Sequence, residues 1–291
     1  MVRTPDTFKR IQTLRKRYYE VLPGKEALLR VLGEAEIPEH VYDSNAIENS
    51  TLSLAETEKI LLQVDLDRYV SEREIFEAKN LARVAGYIER KATEAELSFP
   101  IMLDLHRMLI GNIRDEIAGR FRARDEWVRV GGHIGAAPDD IEERLSEALI
   151  AFRSDPQEHI IRRIARFHLA FEYVHPFIDG NGRIGRVLNN YLLIREGYVP
   201  INIAFVDRAE YYDAFREYDA GGETTLMEGI VGRALSESYH KRLAYMEGKR
   251  IVTLSAYAKE KRLSHSNFIN KANRQTISAF REKGVWKIGV E

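Results

Sequence analysis

Apolar side chains recur at three- and four-residue intervals along most of the chain, the period of helices with one buried face. The pattern predicts helices over Pro5–Leu22, Lys25–Leu32, Ser53–Val64, Glu72–Lys91, Phe99–Leu109, Asp140–Phe152, His159–Val174, Ile184–Arg195, Arg208–Tyr218 and Leu226–Met246. Pro23-Gly24 ends the first helix, and Pro38 follows the short second one. In His159–Val174, Ile160, Ile161, Ile164, Phe167, His168 and Phe171 form a wide apolar stripe. One stretch breaks the rhythm. Gly119–Ala137 is rich in β-favouring residues, carries a Gly131-Gly132 turn signal and reads as a small hairpin.

Composition narrows the picture without deciding it. At 291 residues, 44% hydrophobic and 31% charged, the chain is long enough to bury a substantial core. It has no cysteine, which excludes a disulfide scaffold, a thiolate metal site and a cysteine nucleophile, and suits a reducing cytoplasm. There is no apolar h-region at the N-terminus and no run near the ~20 residues a membrane span needs, so cytoplasmic localisation is expected. Charge is uneven. Lys249–Glu291 holds ten Lys/Arg against three Asp/Glu, while the remainder holds 34 against 42. A basic tail on an acidic body implies a separate task for the tail, with nucleic acid the first candidate.

The segment His175–Arg186, HPFIDGNGRIGR, concentrates the chemistry. Pro176 disfavours helical backbone at His175, so the preceding helix should end there. Gly180, Asn181 and Gly182 form a permissive loop that opens a new helix, and such a helix start is an anion site. Arg183 and Arg186, three apart, share a face and offer forked donors to phosphate oxygens. Asp179 is suited to a hard cation such as Mg²⁺, and His175 to general base work near neutral pH. A capped helix–loop–helix with a solvated arginine pair is the plain structural alternative for a bare GxG.

HPFIDGNGRIGR resembles the signature of the Fic family, His-Pro-Phe-x-Asp/Glu-Gly-Asn-Gly-Arg-x-x-Arg, at every defined position. The resemblance runs from about Tyr42 to about Tyr239. It implies a mainly α fold: a Fic-type helical core with a small β-hairpin flap, plus a small C-terminal winged-helix-like module. The corresponding organisation is an N-terminal helical region (1–95), a catalytic domain (96–240) and a basic helix-turn-helix or winged-helix-like module (248–291). The implied activity is protein adenylyltransferase: AMP passes from ATP to a Ser, Thr or Tyr hydroxyl of a protein target, with Mg²⁺ as cofactor. His175 would be the base, Asp179 the metal ligand, and Gly180, Asn181, Gly182, Arg183 and Arg186 the phosphate cradle. Phe177 would anchor the loop. Tyr211-Tyr212 resembles a pair that closes the adenine pocket, although core packing explains it equally well. Gly119-Arg120-Phe121-Arg122, with Val128 and Val130, resembles the flap that adds a target segment as a strand.

Read alone, DSNAIENS at Asp43–Ser50 is a turn and helix cap. Beside the signature it matches the family's inhibitory pattern Ser/Thr-x-x-x-Glu-Gly/Asn through Ser44, Glu48 and Asn49. The resemblance implies that Glu48 pairs with Arg186 and restrains transfer; some relatives use this glutamate to remove AMP again. In the tail, a helix at Leu254–Ala258, another at Phe268–Ala272 and a strand at Val285–Ile288 suggest a module whose Lys271, Arg274, Lys283 and Lys287 contact DNA phosphates. A docking or dimerisation module is the bland alternative, and a homodimer is one expectation from the relatives. The competing reading of the whole is a DNA-binding regulator that uses the Fic fold as a nucleotide sensor. A phosphate-transferring branch of the superfamily carries an altered signature.

Overall fold

The structure is a computed structural model that describes residues 4–130 and 132–291. Twelve α-helices and five short strands are present among them. In chain order they are α1 (Thr4–Val21), α2 (Glu26–Ile47), α3 (Leu54–Leu61), α4 (Glu72–Glu94), α5 (Phe99–Ile110), β1 (Arg129–Val130), β2 (His133–Ile134), α6 (Ile141–Ser154), α7 (Ile160–Val174), α8 (Asn181–Arg195), α9 (Arg208–Gly221), α10 (Thr225–Met246), β3 (Arg250–Thr253), α11 (Leu254–Glu260), α12 (His265–Asn273), β4 (Ala279–Glu282) and β5 (Val285–Val290).

Local signals account for several boundaries. Ser53 and Glu56 form a reciprocal capping box at the start of α3, and the Ser71 hydroxyl accepts from Glu74 N–H to open α4. The core is built around α8, which packs against α4, α7, α5 and α2. Ile184, Leu188, Tyr191 and Leu193 of α8 are fully buried, as are Ile161, Ile164 and Phe171 of α7. A helix buried on most sides is the most constrained element of a fold, and here it begins at the glycine loop.

Three expectations are corrected. The helix expected to stop at Leu32 runs on through Pro38 to Ile47. Proline removes one i→i−4 bond, a cost of ~3 kcal/mol in a helix interior. Burial of Leu32, Glu36, Val41, Ala46 and Ile47 on both sides of Pro38 offsets that local preference. Asp43–Ile47 is therefore the last turn of a helix rather than an isolated turn, and Glu48 is its C-cap. The helix expected from Ile184 starts at Asn181, with Gly180 as its left-handed N-cap (φ 83°). The hairpin is much shorter than Gly119–Ala137. Among the described residues its strands are Arg129–Val130 and His133–Ile134, in antiparallel register Arg129↔Ile134, with one more bond from Gly135 N–H to Val128 O at 3.1 Å, while Gly131 of the expected turn lies outside the described residues.

The tail forms an antiparallel sheet of order β3-β5-β4, with Val252↔Ile288 and Ala279↔Ile288 in register. Lys283 and Gly284, both at positive φ (52° and 72°), make the two-residue turn between β4 and β5. Helices α11 and α12 cover one face through Leu254, Phe268 and Ala272 against Ala279, Trp286 and Ile288. The other side rests on the body. Phe280 is buried near Tyr245 of α10, and Arg281 bonds Glu237 and Asp207 at 3.1 and 2.8 Å. The turn itself docks. Gly284 N–H donates to Glu39 of α2 at 3.0 Å, and Lys283 pairs with Glu58 of α3 at 2.7 Å.

Candidate active site

The site forms where α7 ends and α8 begins. His175 is the left-handed C-cap of α7 (φ 51°, ψ 61°), which turns the chain sharply into Pro176. The next residues are fastened from inside. Asn181 Oδ1 accepts from Phe177 N–H at 2.9 Å and Asn181 Nδ2 donates to Phe177 O at 2.8 Å, so a single buried amide closes the loop on itself. Phe177 is fully buried and stacks on His106 at 3.8 Å between centroids, 7° from parallel. His106 Nδ1 accepts from Gly119 N–H at 3.0 Å, so its Nε2 carries the proton and donates to Asp179 O at 3.0 Å. Burial pushes His106 down to about 4 and keeps it neutral.

The expected flap residues brace the same loop. Arg122, almost fully buried, donates to His175 O at 2.8 Å and Ala136 O at 2.6 Å, and its backbone N–H donates to Pro176 O at 3.0 Å. Gly119–Arg122 thus fixes the catalytic-loop candidate from one side, while the short β1–β2 hairpin stands over the cleft.

The two signature arginines part company. Arg183 turns to Glu77 of α4 (3.1 Å) and Asp179 (3.3 Å). Arg73 reaches the other Asp179 oxygen at 2.8 Å. Although burial pushes Asp179 up, the Arg183 and Arg73 guanidiniums hold it below the usual carboxylate range. Arg186 points to α2: Nε donates to Ser44 Oγ at 2.9 Å, and Nη2 donates to Ser44 O at 2.8 Å and to Glu48 Oε1 at 2.9 Å. Glu48 sits directly on the start of α8. A Cβ on residue 182 would lie 2.2 Å from Glu48 Oε1, so the missing side chain of Gly182 is the seat of that carboxylate. The first N–H groups of α8 lack intrahelical partners and carry the positive end of the helix dipole.

Asn49, at positive φ (70°), accepts from Arg208 at 2.7 Å and holds the segment after α2 in place. Tyr212 donates to Ile47 O at 3.2 Å. His175, Glu48, Gly182, Tyr211, Tyr212 and His133 all face a cleft of about 320 Å³, within the range of small-ligand pockets. His175 Nδ1 lies 3.3 Å from Glu172 O, which leaves Nε2 as the unprotonated nitrogen. Burial lowers His175 to about 4, so it is neutral near pH 7.

Every site residue expected from the sequence thus lies in one region, at the α7–α8 junction or on the helix ends facing it. Sequence reasoning placed His168 only in an apolar stripe and did not single out Arg73, Glu77, His106 or Glu172; all five pack around the loop from α4, α5 and α7. Among the described residues no group of three or more His, Asp or Glu is arranged to hold a metal by itself. The tail contributes nothing to this cleft. Of its four proposed phosphate contacts, Lys271 and Arg274 are exposed, whereas Lys283 and Lys287 are ion-paired with Glu58 and Glu282.

This junction, with a histidine, a glycine helix start and two divergent arginines inside a helical body, defines the class: the chain belongs to the Fic/DOC family, whose match covers residues 96–193. Among its relatives, protein adenylyltransferase Fic of Nematostella vectensis is 31% identical over 223 residues, 73% of this chain and 50% of that protein. The protein of the same name from Drosophila willistoni is 33% identical over 219 residues, 69% of this chain and 43% of that one. The chain spans half or less of the length of these relatives. Solved structures agree. Fic-1 from C. elegans superposes with a TM-score of 0.71 at 27% identity, covering 82% of this chain and 71% of that one. A Fic domain containing signaling protein from Bacteroides thetaiotaomicron gives 0.74 at 21% identity, covering 83% and 98%, and supports the fold. No helix among the described residues is long and apolar enough to cross a membrane.

Proposed function

We propose that the chain is a protein adenylyltransferase restrained by Glu48. The observation that carries this reading is that a neutral imidazole and the open N-terminus of α8, now covered by a carboxylate, face one cleft. An anion seat beside a base is what nucleotidyl transfer requires. Its substrates would be ATP and a protein hydroxyl. His175 Nε2 takes the hydroxyl proton as the oxygen attacks the α-phosphorus. The new P–O bond forms as the bond to the bridging oxygen breaks, and diphosphate leaves. Backbone N–H groups of Asn181 and Gly182, with Arg183 and Arg186, hold the phosphates.

The residues fit Mg²⁺ as a cofactor. Asp179 is a single hard carboxylate at the edge of the nest, the kind of ligand that shares Mg²⁺ with substrate phosphates. When bound, the ion would neutralise phosphate charge. Arg73 and Arg183, which now hold both Asp179 oxygens, keep that carboxylate ionised.

Glu48 competes for the same ground. It holds one arm of the Arg186 fork and fills the space above Gly182, so phosphates that enter must displace it or bind askew. Tyr212, which lines the cleft, would meet the adenine. Wild type, Glu48→Gly and Glu48→Gly/His175→Ala proteins incubated with Mg²⁺ and ATP labelled on the α-phosphate provide the test. Label on Glu48→Gly alone supports base and brake together; label on the protein lacking His175 would remove the assigned base.

A second activity of the tail, DNA binding through 248–291, is favoured by one observation. Lys259, Lys261, Arg262, Lys271 and Arg274 of the α11–α12 region are all exposed on a helix pair backed by a three-stranded sheet. Fluorescence anisotropy with duplex DNA at two salt concentrations tests it. Lys271→Glu/Arg274→Glu should abolish a salt-sensitive signal, and no binding by the wild type would dispose of the idea.

A further inference from the structure

Three residues before His175, on the same face of α7, lies a carboxyl that the reaction above does not use. Glu172 Oε2 is 3.8 Å from His175 Nδ1, with the side chain only 9% exposed. Its Oε1 is buried and finds no hydrogen-bond partner. Space for it is made by α8: a Cβ on Gly185 would lie 2.3 Å from Glu172 Oε1 and 3.2 Å from His168 Nδ1, which is likewise buried and unpartnered. From His168 the polar groups continue. Nε2 meets Tyr211 OH at 2.8 Å, Tyr211 OH accepts from Arg186 Nη1 at 3.3 Å, and Arg186 reaches Glu48 at 2.9 Å. Polar side chains therefore line the way from the base to Glu48, bonded to one another from His168 onward, with no hydrogen bond between Glu172 and His168.

A buried carboxyl oxygen without a hydrogen-bond partner costs stability, and the other oxygen lies in contact range of the one group that must gain positive charge. We propose that Glu172 is a positioning residue for His175, a carboxyl that stabilises the imidazolium formed when Nε2 takes the hydroxyl proton. This rests on the transferase reading. The step balances: one proton moves from the acceptor hydroxyl to Nε2, Nδ1 keeps its own, and Glu172 exchanges none with substrate.

In the wild type the surroundings hold this carboxyl in its neutral form near pH 7. Burial first, and then the charge of Glu48, push Glu172 up to about 8, against the pull of Arg186. The groups facing Glu172 are Glu48 from α2, Arg186 from α8, Tyr211 from α9, and His168 and His175 on its own side. His175 is faced in addition by Arg122 and His133. Removing Glu48 takes away the like charge and lets Glu172 ionise at lower pH. An opposite charge within ~4–6 Å raises a histidine by about 1–3 pH units, making His175 a stronger base.

The experiment compares Glu48→Gly with Glu48→Gly/Glu172→Gln and Glu48→Gly/Glu172→Met. Histidine labelled with ¹³C at Cε1 allows the His175 titration to be followed by NMR, with His175→Ala assigning the resonance. The expected result is a His175 midpoint lower by about one pH unit or more in both Glu172 variants. In the transfer assay kcat should fall at least tenfold, its acid limb should move to lower pH, and KM for ATP should stay within twofold. Identical His175 midpoints would overturn the proposal, as would a fall in kcat with an unmoved acid limb, the mark of a merely structural role. Because the NMR titration needs no turnover, absence of transfer in every variant would sink the transferase reading while leaving Glu172 to be judged by the midpoints. Replacing an unpartnered buried carboxyl should not lower the melting temperature, and the Gln and Met variants must agree.

Discussion

Glu48→Gly should make the protein less stable and more active, and both magnitudes follow from the same contacts. A hydrogen bond to a charged group contributes ~1.5–3 kcal/mol when desolvated. The Arg186 side chain is 8% exposed but that of Glu48 is 34% exposed, so solvent screening reduces the pair to about 1 kcal/mol. Arg186 is not left stranded, because Ser44 Oγ, Ser44 O and Tyr211 OH still accept from it. Glycine at the C-cap of α2 adds about 0.5–1 kcal/mol of backbone entropy. The sum, about 1.5–2 kcal/mol, corresponds to a fall of a few degrees in melting temperature for a chain of this size. ATP should reverse the order. With the seat over Gly182 open and the Arg186 fork complete, ATP with Mg²⁺ should raise the melting temperature of Glu48→Gly more than that of wild type. Transfer should increase about a hundredfold, the usual cost of holding a reacting centre ~1 Å out of place. Scanning fluorimetry with and without ATP and transfer of α-phosphate label read the two effects separately. Equal ATP-induced shifts together with equal labelling would refute the reasoning, since the carboxylate would then not be competing with phosphate at all.

The supporting contacts give further expectations. Asn181→Ala strands the Phe177 N–H and C=O inside the loop, at about 1–3 kcal/mol by urea denaturation, and should abolish label transfer in a protein that is still folded by circular dichroism. Phe177→Ala empties the stack on His106 and should cost about 3–5 kcal/mol, readable as a lower urea midpoint. His168 is wholly buried and pushed down to about 3 by burial, so below its ordinary value of 6.5 the unfolded chain takes up a proton that the native protein refuses. Stability due to His168 is present above pH 6.5 and is lost as pH falls towards 3. The advantage of wild type over His168→Gln, from urea titrations at pH 7, 6 and 5, should shrink by up to ~1.4 kcal/mol per unit below 6.5. A pH-independent difference would contradict a buried neutral imidazole.

What the sequence made legible was what it wrote locally. HPFIDGNGRIGR packs a histidine, an acid, three glycines and two arginines into twelve positions, and the chain can hardly fold such a segment without presenting a helix start to whatever lies in front of it. Most helix ends were similarly readable from caps and periodicity. The errors arose where tertiary burial overrode a local rule. Pro38 marks a stop by its own chemistry, yet apolar residues before and after it are buried together and carry α2 to Glu48. The glycine loop read as irregular up to Gly182, yet only Gly180 is left-handed, and Asn181 already turns with the helix. Glu77, Arg73 and His106 could not be found by inspection, because each is one polar residue on an amphipathic helix. The ion pair of Arg73 with Asp179 joins residues 106 apart in sequence. The strand at Ala279–Glu282 escaped notice for a related reason: four residues are too short for a period and acquire their meaning from the β5 partner.

The carboxylate seated over Gly182 is supplied by α2, which lies outside residues 96–193, the segment that matches the family. Seat and occupant come from separate stretches of chain, joined by the bonds of Arg186 to Ser44 Oγ, Ser44 O and Glu48. On the reading proposed above, the strength of restraint is a trait that selection can adjust on its own. Substitutions at Ser44, Glu48 or the buried face of α2 would retune it, or erase it, while the signature that performs the chemistry stays untouched.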